Sequence, residues 1–184
     1  VFIATGAQAY PWGVAFNESQ RMAIENDPTF GERNASAGLC GMATARSIAL
    51  LSYRGGKAYD KTQADATAYD SPFQHRVLSY QRYQGEKLRR RFNAYSYYRL
   101  LQAYDSHNLG RDRGSVAKAL RSIKAHTLVV SITSDLLFPP ADHQVIVDNI
   151  SDCQYHVIDS DFGHDGFLVE SEKLNNIIQD FLVD

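Results

Sequence analysis

Apolar residues recur along the chain with two different periods, and the change between them divides the sequence into parts. From residue 17 to residue 113 they return at intervals of three or four positions, which is typical of helices. The helices predicted here run from an Asn17 cap to Asp27, and over Leu39–Tyr53, Gln74–Arg90 and Ala94–Tyr104. Polar residues at Lys57–Pro72 and turn-forming residues at Asp105–Gly114 predict loops.

The last part, residues 114–184, alternates between short apolar runs and longer amphipathic segments. Strands are predicted at Leu128–Ile132 and Tyr155–Ile158, and helices at Val116–Ile123, Pro139–Ile150 and Glu172–Leu182. Strands that alternate with helices favour a parallel sheet covered on both faces. The apolar residues Val1–Ala4 predict one more strand, and we expect it to continue a sheet that begins before residue 1.

This pattern predicts an α/β fold that carries a large all-helical insertion. We expect residues 1–16 to form a core strand and its exit loop, residues 17–113 a helical lid, and residues 114–184 the C-terminal core. In such sheets, ligands bind beyond the carboxyl ends of the strands, so residues that follow the predicted strands are the first candidates for a site.

Composition excludes several classes of function. The formal net charge of -2 gives no field that would attract a polyanion, so no nucleic acid partner is expected. No apolar run reaches about 18 residues, so we expect no membrane partner or membrane span. The two cysteines, Cys40 and Cys153, have no metal-ligand spacing, which indicates reduced thiols, no metal site and a cytoplasmic location.

Two titratable residues follow consecutive predicted strands. Asp135 follows the first of them, and His164 lies on a glycine-marked loop after the second. An imidazole can take and return a proton near neutral pH, and a carboxylate can fix its tautomer, so we expect the two side chains to hydrogen-bond. The order of acid and base, each before a helix, is that of an α/β-hydrolase triad. The alternative is that Asp135 caps a turn and His164 makes only local hydrogen bonds.

A serine nucleophile is missing from this pattern. No G-x-S-x-G turn occurs in the 184 residues, and the order Ser, Asp, His would place the serine before residue 1. We therefore expect this chain to be inactive by itself in acyl transfer. Cys40 lies at a predicted helix start, where a thiol pKa can be lowered, but no strand precedes it. It is interpreted as a small packing residue.

Two further charged residues are candidates for ligand binding. Arg46 shares a predicted helix face with apolar and aromatic residues, namely Leu39, Met42, Leu50 and Tyr53. A guanidinium in that line extends to solvent, pairs with a structural carboxylate, or binds a ligand carboxylate through its two-pronged donor group. Asp165, directly after His164, either caps the next helix or accepts a hydrogen bond from a substrate ammonium.

The segments Ser131–Pro140 and Ser160–Glu170 resemble the acid and base motifs of homoserine O-acetyltransferases of the α/β-hydrolase type. The resemblance covers essentially the whole chain and includes Phe16–Glu18, Gly38–Leu39, Ala45–Arg46, Ser52–Arg54 and Tyr83–Gly85. It departs from the family pattern at Asn93–Tyr95, where the family has Asp-Ala-Asn, and at Gly166, where the family has alanine.

This resemblance implies an enzyme that transfers an acetyl group from acetyl-CoA to the hydroxyl of L-homoserine, a step toward methionine. It implies acetyl-CoA as a co-substrate, no bound cofactor and a homodimer formed through the lid. Asp135 and His164 would be the catalytic acid and base, and Arg46, Tyr53 and Asp165 would bind the substrate.

Alternatives within and outside enzyme chemistry remain open. Succinyl-CoA could replace acetyl-CoA as the donor, or water could be the acceptor, as in an esterase. The combination of a cation, Arg46, and an anion, Asp165, suits an amino-acid acceptor and argues against the esterase. Outside enzyme chemistry, the chain could be a non-catalytic fragment that dimerises through its lid.

Overall fold

Three parallel strands form the sheet in the computed structural model, which describes residues 1–65 and 73–183. They are β1 (Phe2–Ile3), β2 (Thr127–Ile132) and β3 (Cys153–Ile158), in the spatial order β1-β2-β3. Ile132 pairs with Ile158, so the carboxyl ends of β2 and β3 are level. The predicted parallel sheet is confirmed, and the segments that follow these two strands leave the sheet at the same edge.

The helices of the described residues agree in most places with those predicted. They are α1 (Pro11–Glu25), α2 (Leu39–Tyr53), α3 (Gly56–Gln63), α4 (Arg76–Arg89), α5 (Ala94–Asp105), α6 (Val116–Arg121), α7 (Pro140–Val147), α8 (Gly166–Val169) and α9 (Ser171–Val183). The helix α2 has the predicted bounds, and α5 extends one residue beyond its prediction.

Both faces of β2 are buried, which explains its run of apolar residues. All six of its residues are buried. On one face Val129 belongs to a cluster with Leu120 of α6 and Ile146 of α7, and on the other Ile132 clusters with Phe181 of α9. Alternate residues of a strand point to opposite faces, so β2 packs against helices on both faces of the sheet. The prediction that helices cover both faces of the sheet is confirmed.

The chain is divided into two units. The α/β unit consists of Val1–Tyr10, Tyr53–Gly55 and the residues from His107 onwards, and the helical unit consists of Pro11–Ser52 and Gly56–Ser106. The last residue of α2 and the two that follow it therefore belong to the α/β unit, while the rest of that helix belongs to the helical unit. Among the residues that the structure describes, no helix is both long enough and apolar enough to cross a membrane.

In the helical unit, α1 begins at Pro11, well before the predicted start. Proline suits the first helical turn, where its missing N–H is not needed. Asn17 lies in the middle of the helix, and its amide donates to Oδ1 of Asp105 at 2.7 Å. Arg21, one turn further along, also pairs with Asp105. The prediction that Asn17 caps this helix is therefore wrong, because its polar group contacts α5 instead.

The polar stretch predicted as a loop at Lys57–Pro72 is partly helical. The helix α3 covers Gly56–Gln63, so the prediction is wrong for that part, and residues 66–72 lie outside the described residues. Only Ala58 is buried in this helix, and its sequence has almost no helical spacing of apolar residues that would have predicted it.

Candidate active site

The turn that follows β2 carries the acid of the candidate site. Asp135 is 2% exposed, and its Oδ1 accepts hydrogen bonds from the backbone N–H groups of Leu137 (2.8 Å) and Phe138 (2.9 Å). An aspartate that bonds to the main chain two and three residues later stabilises a turn of this kind. The two hydrogen bonds offset the cost of burying a carboxylate, and they fix the direction in which it points.

The turn that follows β3 carries the base. It contains a short 3₁₀ helix, Gly163–Asp165, in which the Nδ1 of His164 lies 2.8 Å from Oδ2 of Asp135. The hydrogen bond predicted from the sequence is present. When Nδ1 donates to this carboxylate, Nε2 carries the lone pair, and Nε2 bonds to none of residues 1–65 and 73–183. An imidazole held in this way can accept a proton from a hydroxyl group.

Aromatic rings surround the imidazole of His164. The ring centres of Phe138 and Phe167 both lie 5.4 Å from it, and that of Tyr53 lies 6.0 Å away. The His164 side chain is 18% exposed. The three rings restrict rotation of the imidazole and reduce its contact with solvent, which strengthens its interaction with Asp135.

Two hydroxyl side chains tie the acid turn to the base turn. Ser134 donates to the carbonyl of Ser160 and accepts a hydrogen bond from the N–H of Gly163 at 2.9 Å. Thr133 accepts a hydrogen bond from the N–H of Ser160 at 3.1 Å. These bonds lie beside Asp135 in the chain, so they fix the backbone on which the acid and base are carried. Sequence reasoning missed this role of Ser134, which a hydroxyl directly before the acid could have suggested.

Gly163 allows the base turn to lie against the segment that ends α2. Its φ is +65°, a conformation that favours glycine, and a Cβ there would lie 2.5 Å from the nitrogen of Gly55 and 2.9 Å from the carbonyl carbon of Arg54. Any larger residue would force the two main chains apart. The glycine that marks the base loop in the sequence is therefore required by contact between two segments of the α/β unit.

Asp165 is paired with Arg54, a residue to which sequence reasoning assigned no role. Nε of Arg54 donates to Oδ2 of Asp165 at 3.2 Å, and their side chains are 28% and 23% exposed. Asp165 makes no side-chain cap to α8, which excludes the capping alternative. Its Oδ1 accepts no hydrogen bond from the described residues. Its binding of a ligand stays a prediction.

The remaining predicted binding residues, Arg46 and Tyr53, both lie on α2. Arg46 is half-buried and belongs to the helical unit, whereas Tyr53 belongs to the α/β unit and lies beside His164. Because α2 has the predicted bounds, these residues are two helical turns apart and share one face of the helix. Their contact with a substrate stays a prediction.

A buried histidine, His143 of α7, was left without a role by sequence reasoning. It is 0% exposed, its Nε2 accepts from the N–H of Thr5 at 3.0 Å, and its Nδ1 donates to the carbonyl of Pro139 at 3.2 Å. Burial lowers its pKa, although the Pro139 hydrogen bond and the charge of Asp135 act in the opposite direction. Through these two hydrogen bonds, the neutral ring of His143 connects the segment that follows β1 to the segment that follows Asp135.

No group of three or more His, Cys, Asp or Glu side chains that could hold a metal ion occurs among the described residues. Cys40 and Cys153 both have free thiols, and burial raises the pKa of the Cys153 thiol. Cys40 is exposed, so its interpretation as a packing residue is wrong.

Comparison with known proteins finds relatives whose similarity extends over the whole length of this chain. No protein-family model matches it. A homoserine O-acetyltransferase of Cyclobacterium marinum is 41% identical over 184 residues, which make up 100% of this chain and 52% of that protein. The chain spans about half the length of the curated relatives it matches.

Solved structures share the fold. The homoserine O-acetyltransferase of Bacillus anthracis matches with a TM-score of 0.87 at 17% identity, over 98% of this chain and 52% of that one. The esterase E22 matches with a TM-score of 0.83 at 19% identity, over 98% of this chain and 53% of that one. At these identities the likeness concerns the fold alone, and this chain has a partial α/β-hydrolase fold.

Proposed function

Because the chain belongs to the homoserine O-acetyltransferase family, we propose that it supplies the acid, the base and acceptor-binding residues of an enzyme that acetylates L-homoserine. The donor in this proposal is acetyl-CoA, used as a co-substrate. The observation that carries it is the hydrogen bond between His164 and Asp135, 2.8 Å long, at the level ends of two neighbouring parallel strands. No cofactor is needed for this chemistry.

The proposed reaction has two steps that use His164 in the same way. In the first, Nε2 takes the proton of a serine hydroxyl, whose oxygen attacks the thioester carbonyl, and the departing CoA sulfur receives that proton. In the second, Nε2 takes the proton of the homoserine hydroxyl, whose oxygen attacks the acetyl-serine ester and releases the serine with the proton. The serine lies outside these 184 residues in our proposal, since they contain no G-x-S-x-G turn.

Asp135 supports this cycle through the charge that His164 acquires in each step. A buried carboxylate beside Nδ1 stabilises the imidazolium and keeps the lone pair on Nε2 while the ring is neutral. Its backbone hydrogen bonds to Leu137 and Phe138 hold it in place, so it does not need to reorient as the charge develops.

The acceptor is chosen, in this proposal, by groups that complement an amino acid. Asp165 accepts a hydrogen bond from the ammonium of homoserine, and Tyr53, whose ring lies beside His164, contacts the same substrate. Arg46 binds the carboxylate, because a guanidinium can donate two parallel hydrogen bonds to it. A water molecule carries neither charge, so these residues favour transfer over hydrolysis.

The test uses the intact protein that contains these residues. CoA release should depend on both acetyl-CoA and homoserine, and mass spectrometry should identify O-acetylhomoserine as the product. A His164→Ala variant should release no CoA. Acetate as the main product would identify a hydrolase instead, and a higher kcat/KM with succinyl-CoA would identify a different donor. The 184-residue chain alone should be inactive, and turnover by it would contradict a nucleophile outside it.

We also propose a homodimer formed through the helical unit. Large apolar side chains are exposed there, including Trp12 (56%), Met22 (52%) and Leu100 (60%). Burying such side chains between two copies removes apolar surface from water. Light scattering of the intact protein should give twice the mass of one chain, and a monomeric mass at micromolar concentration would refute this proposal.

A further inference from the structure

We infer that Arg54 is a positioning residue that selects which oxygen of Asp165 receives the ammonium of the acceptor. This inference rests on the proposed function, since it needs Asp165 to bind an amino-acid acceptor. The observation that supports the inference is that Arg54 contacts only one of the two carboxylate oxygens of Asp165. Nε of Arg54 occupies Oδ2 of Asp165 at 3.2 Å, and Oδ1 bonds to none of the described residues.

The position of Arg54 is set by its main chain as well as by its charge. The base turn lies so close to it that a Cβ on Gly163 would be 2.9 Å from the carbonyl carbon of Arg54 and 3.0 Å from the carbonyl oxygen of Tyr53. Arg54 therefore starts from a backbone that contacts the turn carrying Asp165. This contact places the origin of the Arg54 side chain close to Asp165, so that only the side-chain dihedral angles must be ordered when the ion pair forms.

Each oxygen of a carboxylate can accept more than one hydrogen bond, but an ion pair on one oxygen fixes the plane of the group and leaves the other oxygen more open to a ligand. Asp165 directly follows His164, so rotation of its side chain would change where an acceptor is held relative to the base. With Oδ2 held by Arg54, Oδ1 is the more open of the two oxygens, and its direction is fixed. An ammonium needs one such acceptor, and the acceptor's hydroxyl must then meet Nε2 of His164, so the direction of that bond matters.

A different role for Arg54 in the same contact would have the opposite effect on the binding of homoserine. If Arg54 only neutralised Asp165, it would weaken the attraction of that carboxylate for an ammonium, and its removal would lower the KM for homoserine. If it positions the carboxylate, its removal raises the KM. The direction of the change therefore separates the two roles.

The experiment measures both half-reactions in the intact protein with Arg54→Gln, Asp165→Asn and the double variant. We expect Arg54→Gln to raise the KM for homoserine about tenfold and to leave acyl-enzyme formation from acetyl-CoA unchanged. In the Asp165→Asn background, Arg54→Gln should add less than a twofold change, because Arg54 acts through that carboxylate. Arg121→Gln, which removes an exposed arginine at the end of α6, is the matched control and should change neither value.

Several outcomes would overturn the inference while leaving the proposed function intact. A lower or unchanged KM for homoserine in Arg54→Gln would do so, and so would an equal effect of that change with and without Asp165. If Arg54→Gln does not fold, Arg54→Met, which keeps the length of the side chain, is expected to give the same rise in KM. Absence of homoserine-dependent CoA release in the unmodified protein would instead remove both the proposed function and this inference.

Discussion

His164 Nδ1 and Asp135 Oδ2 lie 2.8 Å apart, while the other oxygen of the same carboxylate accepts two backbone N–H groups. The two oxygens of Asp135 therefore have separate tasks. One orients the imidazole, and the other stabilises the turn that carries the aspartate. Substitutions that keep one task and remove the other can separate catalysis from stability.

We predict that Asp135→Asn in the intact protein lowers kcat about 10⁴-fold and changes the melting temperature little. The amide oxygen can still accept the N–H groups of Leu137 and Phe138, which turns the NH₂ toward Nδ1 of His164. The ring must then carry its proton on Nε2, where it cannot accept another. Asp135→Ala should lose activity and also unfold at a lower temperature, because it lacks the oxygen that stabilises the turn. Equal melting temperatures of the two variants would contradict this division.

Arg46 is predicted to act in the second half-reaction. Arg46→Ala should leave the rate of acyl-enzyme formation from acetyl-CoA nearly unchanged and raise the KM for homoserine, because only the acceptor has a carboxylate for it to bind. Rapid-quench measurements of acetylated protein would give the first rate, and steady-state CoA release the second value. Equal loss in both half-reactions would be inconsistent with this role.

Gly163→Ala should destabilise the intact protein by more than about 2 kcal/mol and reduce its activity. The new Cβ would lie 2.5 Å from the nitrogen of Gly55, in a residue whose φ is +65°. Gly56→Ala is the control, because a Cβ at Gly56 meets nothing within 4 Å. It should change the unfolding free energy by less than about 0.5 kcal/mol. Urea titrations of both variants provide the comparison, and similar stabilities would show that the base turn can move away.

His143 should make the stability of the protein fall as the pH is lowered. Burial is the main cause that lowers its pKa from the usual 6.5, so below pH 6.5 the unfolded chain takes up a proton that the folded chain does not. The unfolding free energy therefore decreases as the pH falls below 6.5. At pH values well above 6.5 the ring is neutral in both states, and this effect disappears.

Urea titrations of the unmodified protein and of His143→Gln between pH 5 and pH 7.5 would test this. The amide of glutamine has a donor and an acceptor for Pro139 and Thr5 but no proton to gain in this range. The variant should therefore lose less stability at low pH than the unmodified protein. Parallel pH profiles of the two would show that His143 does not cause the loss.

Only a few physical rules are needed to predict from the sequence that Asp135 and His164 form an acid–base pair. Asp135 and His164 each follow a strand, and the carboxyl ends of neighbouring parallel strands lie at one edge of a sheet. The apolar spacing of Leu39–Tyr53 likewise gave the bounds of α2, since a helix with a buried face repeats its pattern every three or four residues.

Contacts between segments far apart in sequence could not be predicted in this way. The pairing of Arg54 with Asp165 depends on the close approach of Gly55 to Gly163, and neither glycine signals its partner in the sequence. The helix α3 was missed because it buries a single residue, Ala58, and so has no apolar stripe.

The pairing of Phe2 with Val129 has a consequence for how the sheet assembles, because the whole helical unit lies between these residues in the chain. Closing so long a loop costs conformational entropy, and the pairing of the two residues of β1 offsets little of that cost. By contrast, β2 and β3 are separated only by α7, and they pair along six residues. We expect β2 and β3 to associate early and β1 to dock last. Hydrogen exchange should then be faster at the amide of Ala4, which donates to Val130, than at the amides between β2 and β3.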